Sequence, residues 1–161
     1  MLRQAQHAPK LKSQTRSKFC PMKTPSLVPY LAFEGNCREA MSFYQSCLGG
    51  ELHVQSFAGT PAAEGMPEEA QQGVLHARLA NDNIVLLASD AGGHQLTQGN
   101  NIALSLHCGS TEEVTACFNK LSEGSTVTMP LAEAFWGATF GMLTDKFGIG
   151  WLLNYEKAPA Q

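Results

Sequence analysis

The chain has 161 residues, 43% hydrophobic and 16% charged, enough to bury a core in a single domain and with no apolar run of membrane-spanning length. Its net charge of −3 is unevenly spread: residues 1–24 carry six basic residues and no acid, whereas the remainder carries 5 basic against 14 acidic residues, a net −9. An acidic body without basic stripes excludes nucleic acid as the folded part's expected partner, and no membrane partner is expected either. The five cysteines are odd in number and include no C-x-x-C pair, so they are expected to be reduced and the protein cytoplasmic.

Residues 1–24 show no apolar periodicity and no secretory core. They read as a basic, disordered extension ahead of the domain, or as an organelle transit peptide, which composition alone does not separate. From Leu27 to Phe33 the residues are strand-like. Asn36 with Glu39 then fits a capping box, and Cys37, Ala40, Met41, Tyr44, Cys47 and Leu48 recur at helical spacing until Gly49-Gly50. Leu52 to Phe57 is a second strand, and Ala58 to Gly73, rich in Ala, Gly, Pro and Glu, reads as a mobile loop, either a lid or an ordinary hairpin connection. Val74 to Ala80 alternates, with Leu75, Ala77 and Leu79 on one face and Val74, His76 and Arg78 on the other; Asn81-Asp82-Asn83 turns the chain into Ile84 to Ser89.

After a linker at 91–100 the pattern repeats. Ile102 to His107 is a strand, Ser110 to Glu113 a second capping box, and Val114, Cys117, Phe118 and Leu121 the face of a second helix that stops at Gly124. An offset of 74 superimposes Gly35 on Gly109, Glu39 on Glu113, Tyr44 on Phe118 and Gly50 on Gly124. Three further strands follow: Thr126 to Met129, Glu133 through Phe140 to Thr144, and Ile149 to Tyr155 after a sharp turn at Asp145 to Gly148. The expected fold is therefore α+β, two βαβββ modules (about 26–90 and 101–156, joined by the 91–100 linker) in one domain over 25–157. One helix per four strands covers one face of each sheet, leaving the other faces to cup around a cleft.

Pro29-Tyr30-Leu31-Ala32-Phe33 with Gly35-Asn36, Phe43-Tyr44, Leu48-Gly49, His76-Ala77, Glu133 with Phe135-Trp136-Gly137, and Asp145-Lys146-Phe147-Gly148 with Trp151 together resemble the PhnB-like branch of the vicinal-oxygen-chelate superfamily, the group of glyoxalases, bleomycin-resistance proteins and dioxygenases. The resemblance implies a cupped, incomplete barrel, a homodimer, and a small-molecule ligand or substrate. In metal-dependent members the cleft holds His, Gln or Glu ligands. The matching positions here are Val28 or Pro29, about Leu86, Asn101 and Leu152, so no metal and no cofactor is expected at the usual place, while a relocated divalent site stays open. Some PhnB-like sequences carry a methyltransferase label, but the chain contains no G-x-G-x-x-G turn.

Candidate site residues follow from strand faces and residue chemistry. His76 is either a general base or a hydrogen-bonded structural histidine; Glu133 is either a proton acceptor partnered by His76 or Arg78, or one half of a structural ion pair. Arg78 is read as a ligand clamp or a solvent-facing strand arginine. Phe135, Trp136 and Phe140 are read as the floor of an apolar pocket or as core. His107 is cleft-facing or an end-of-strand surface residue, and Cys108 precedes a helix start but has no catalytic partner in sequence. Two functions are expected: a metal-free binding module for a small, partly apolar molecule, or a lyase or isomerase in which His76 and Glu133 move protons, with or without a divalent ion.

Overall fold

The structure, a computed structural model, describes residues 27–157. The basic leader lies outside them. Module one runs β1 (Tyr30–Phe33), α1 (Cys37–Leu48), β2 (Glu51–Ser56), β3 (Val74–Ala80) and β4 (Val85–Asp90). Module two runs β5 (Leu104–His107), α3 (Thr111–Leu121), β6 (Thr126–Glu133), β7 (Ala138–Thr144) and β8 (Gly150–Glu156). The sheets have equivalent orders, β1-β4-β3-β2 and β5-β8-β7-β6, and in each the first strand pairs parallel with the last. The duplicated βαβββ architecture is therefore present, as two open, mixed sheets in an α+β cupped fold.

Each helix covers the inner face of its own sheet, and the two helices also pack on each other. Tyr44, Met41, Leu79, Leu121, Leu143 and Leu153 are all under 2% exposed in one continuous core. Burial on that scale contributes about 1.5–3 kcal/mol per large side chain. At Gly141 an added Cβ would stand 2.8 Å from the Phe118 ring, so glycine lets α3 approach β7 closely. The outer faces point away from this core.

Three local expectations are corrected. The α1 capping box does not form: Asn36 makes no side-chain cap bond, and Asp90 Oδ1 instead accepts from the Gly35 and Cys37 N–H groups at 2.9 and 3.0 Å. The second box does form, with Ser110 Oγ accepting from Glu113 N and Glu113 Oε2 accepting from Gly109 N. In β3 the register against β2 slips between Gln55 and Ser56, so Val74 rather than Leu75 joins Ala77 and Leu79 in the core. Third, Glu133 to Thr144 is not one strand. Ala134 and Gly137 close a turn, Gly137 adopting φ 89°, so Glu133 ends β6 and Phe140 belongs to β7. The 58–73 connection also carries structure, a 3-10 turn at Pro61–Ala63 and a short helix α2 (Glu68–Gln71).

Candidate functional site

The two outer faces hold most of the candidate residues. On sheet one, pairing aligns His53, Arg78, Leu87 and Tyr30 in one row across β2, β3, β4 and β1. His76 sits beside this row, half-buried, with its ring 6.3 Å from that of Tyr30. Arg78 is exposed, and His53 Nε2 lies 3.0 Å from Glu51 Oε1 on the edge strand. This face mixes polar side chains, with Arg78 as its cation, and the larger Leu87 and Tyr30.

Sheet two differs. One row reads Ser105, Leu152, Met142 and Met129; the next reads His107, Asn154, Phe140 and Ala132. The apolar members of both rows face outward, opposite the buried Trp151, Leu143 and Leu153. On the β5 side they meet a polar chain: Asn154 Nδ2 is 3.2 Å from Glu156 Oε1 and 3.4 Å from His107 Nδ1, and His107 Nε2 is 3.1 Å from Ser105 Oγ.

The structure separates residues that lie together in sequence. Glu133 pairs with Thr139, and Thr139 with the core-packed Tyr155, which puts it on the helix side of sheet two rather than the outer side. Its exposed carboxylate lies 3.7 Å from Lys157 Nζ. Among the described residues no hydrogen bond, ion pair or ring contact joins Glu133 to His76 or Arg78. Phe135 and Trp136 are not core: they stand at the β6–β7 turn, 98% and 54% exposed, stacked edge to face at 4.7 Å. Trp136 in turn meets the half-buried Phe140, at 5.8 Å between ring centroids.

The carboxylate that does sit among aromatics is Asp145. It is 4% exposed, and its Oδ2 accepts from the Tyr44 hydroxyl at 2.7 Å and the Trp151 indole N–H at 2.8 Å. Its Oδ1 accepts from the Phe147 and Ile149 N–H groups. Burial, and then the Asp145 charge, push the Tyr44 phenol far above its usual range, so Tyr44 remains a donor. This group joins module one to module two and is fully occupied, which makes it structural.

A cavity of about 980 Å³ lies elsewhere, between the start of α1 and the 58–73 connection, lined in part by Glu34, Arg38, Phe57, Met66, Asp90 and His94. Asp90 accepts from three backbone N–H groups there, that of Cys37 at the start of α1 among them, so a carboxylate already stands where an anion would dock. Cys108 is no reactive thiol: burial, then neighbouring Cys117, push it up to about 12. Burial, then the Asp90 charge, push Cys37 up to about 12 as well, and the four described cysteines are free thiols.

The positions where the resemblance implies metal ligands offer poor donor chemistry. Leu152 and the exposed Asn101 supply no imidazole, thiolate or carboxylate. Leu86, the expected first-module position, is turned into the core at 4% exposure, and its outward neighbours are Leu87 and Ser89. This set does not fit a divalent ion.

Residues 25–154 match the family described as 3-demethylubiquinone-9 3-methyltransferase. The chain belongs to that family. As a PhnB-like protein it is 35% identical to Protein YjdN of Escherichia coli (strain K12) over 142 residues, 81% of this chain and 95% of that one. Its fold matches protein PA1353 of Pseudomonas aeruginosa with a TM-score of 0.74 at 39% identity, covering 84% of this chain and 100% of that one. A PhnB protein from Bacillus cereus with the same methyltransferase description matches at a TM-score of 0.67 and 26% identity, over 81% and 99% of the two chains. A glyoxalase/bleomycin resistance protein/dioxygenase family enzyme from Burkholderia phytofirmans PsJN shares the fold, with a TM-score of 0.58 at 12% identity. No helix among the described residues is long and apolar enough to cross a membrane.

Sequence reasoning missed two things here: Asn154 and Glu156, which no motif marks, and the pairing that makes Leu152, Met142 and Met129 one surface. No alternation marks these strands, since Ile102-Ala103-Leu104 and Trp151-Leu152-Leu153 are continuous apolar runs.

Proposed function

We propose that this PhnB-like protein binds a small, partly apolar molecule against the outer face of its second sheet, without a metal at the usual superfamily positions. The observation that carries this reading is the pair of rows that leave Leu152, Met142, Met129 and Phe140 on an outward-facing sheet surface, with Leu152 where a metal-binding glutamate would be expected. Apolar walls with a few placed polar groups are the usual composition of small-molecule sites. A homodimer in the cytoplasm completes the proposal: a second copy would cover the open faces, where Tyr30, Met129 and Trp136 are 54%, 45% and 54% exposed. Methyl transfer, the activity in the family's description, is not part of it, since the chain carries no glycine-rich strand-to-helix turn for a nucleotide-like cofactor.

The proton-transfer alternative needs His76 and Glu133 on one substrate, and the two residues occupy different sheets and opposite kinds of face. Elemental analysis of protein purified without chelators, followed by a thermal-shift screen of apolar small molecules, tests the proposal. Binding without stoichiometric metal, by a species of twice the 17.3 kDa chain mass, is the expected result. A stoichiometric metal lost in His76→Ala or Glu133→Ala, with turnover lost alongside, would replace the proposal with the alternative.

A further inference from the structure

The polar chain on the β5 side of sheet two has a direction. An Asn side-chain amide carries two N–H donors on one nitrogen, and both of those of Asn154 have acceptors in reach: Glu156 Oε1 at 3.2 Å and His107 Nδ1 at 3.4 Å. The opposite amide orientation would turn the Asn154 carbonyl oxygen towards the acceptor-only Glu156 carboxylate, so the donating orientation is favoured. His107 Nδ1 then keeps its lone pair, and the ring carries its proton on Nε2. That N–H points at Ser105 Oγ, 3.1 Å away. Ser105 accepts, so its own hydroxyl hydrogen is free to be donated, and among the described residues it has no other partner within hydrogen-bond distance.

The same direction removes a tempting reading. A serine beside a histidine looks like a nucleophile and its base, but an Nε2 that already carries a proton cannot take one from Ser105. What the chain builds is a donor, next to an apolar row that begins with its direct neighbour Leu152.

We infer that the Ser105 hydroxyl recognises a neutral carbonyl oxygen on a ligand whose apolar body lies along Leu152, Met142 and Phe140, with His107 and Asn154 as positioning residues. This rests on the reading of the second sheet's outer face as the binding wall. A neutral acceptor suits the site better than a carboxylate, because Glu156 closes the chain and the chain beyond residue 24 carries a net −9. Ser105 and His107 are both exposed, so substitutions there leave the core alone.

The test uses the full chain, ¹⁵N nuclear magnetic resonance and two probes of nearly equal shape, acetophenone and α-methylstyrene, in which a CH₂ group replaces the carbonyl oxygen. In the free protein His107 is expected as the Nε2–H tautomer, and an Nδ1–H tautomer would overturn the donor chain. Ser105→Ala is expected to weaken acetophenone about three- to tenfold, the range of one neutral hydrogen bond, and to leave α-methylstyrene unchanged. Loss of both probes to the same degree, or of neither, overturns the inference while the wall stands. If neither probe binds at millimolar concentration, or if Phe140→Ala changes neither affinity, the wall fails and the inference with it.

Discussion

The two sheets are built alike and finished differently. Both use the same strand order, the same parallel closing pair and one helix on the inner side, and both bury that side to a few percent exposure. Their outer faces share no such plan. Sheet one presents His53, His76, Arg78 and Tyr30; sheet two presents Leu152, Met142, Met129 and Phe140 beside a directed polar chain. The inner faces are constrained by packing, and a duplicated module must keep them. The outer faces are free of that constraint, so they are where two copies of one module can acquire different chemistry.

The sharpest way to break the comparison is to break the joint between its halves. Asp145→Ala leaves the Tyr44 hydroxyl, the Trp151 indole and two backbone N–H groups without their acceptor. A loss of about 3–5 kcal/mol in urea unfolding is expected, with both modules melting together. A loss below about 1 kcal/mol would mean the modules are held by their helices alone.

A smaller effect separates the two outer faces. Phe140→Ala should reduce affinity for an apolar ligand by about tenfold while costing less than the 3–5 kcal/mol of a fully buried aromatic, because Phe140 is only half-buried. Parallel thermal melts and titrations check both parts; a large stability loss with intact binding would make Phe140 core rather than wall.

The inner faces predict an alkaline limit. Cys37 and Cys108, held near 12 by burial, keep their protons in the folded state, whereas an unfolded cysteine releases its proton near 8.5. The folded state thus binds more protons above that value, so stability is complete below about pH 8.5 and falls as pH rises towards 12. Denaturation midpoints measured from pH 7 to 11 should decline along this window, and Cys37→Ala with Cys108→Ala should flatten the slope. The smallest effects belong to sheet one: Arg78→Ala and His76→Ala should each change stability within about 0.5 kcal/mol and leave apolar binding intact.

Much of this molecule is legible in its sequence. The duplicated modules follow from repeated caps and helical faces, and the family from motifs spread over most of the chain. The site is less legible. Glu133 reads as an acid among aromatics because Phe135, Trp136 and Phe140 surround it in sequence, yet a four-residue turn with Gly137 at positive φ disperses them onto a loop tip and a different strand. The acid that aromatics do enclose, Asp145, has its partner Tyr44 101 residues away. Asp90 caps a helix that begins 53 residues earlier, displacing the local Asn36 cap. Non-local pairing also decides which side of β3 is core, through a one-residue slip against β2. Apart from that local turn, each miss is a long-range contact overriding a local pattern.

The measurement that bears most directly on the central claim is fluorescence titration of the full chain with N-phenyl-1-naphthylamine, a neutral apolar probe, in the wild type and in Leu152→Asp and Arg78→Ala variants. Saturable binding that Leu152→Asp abolishes and Arg78→Ala leaves unchanged is the expected result. Binding that survives Leu152→Asp and disappears with Arg78→Ala would place the ligand on the first sheet and contradict it.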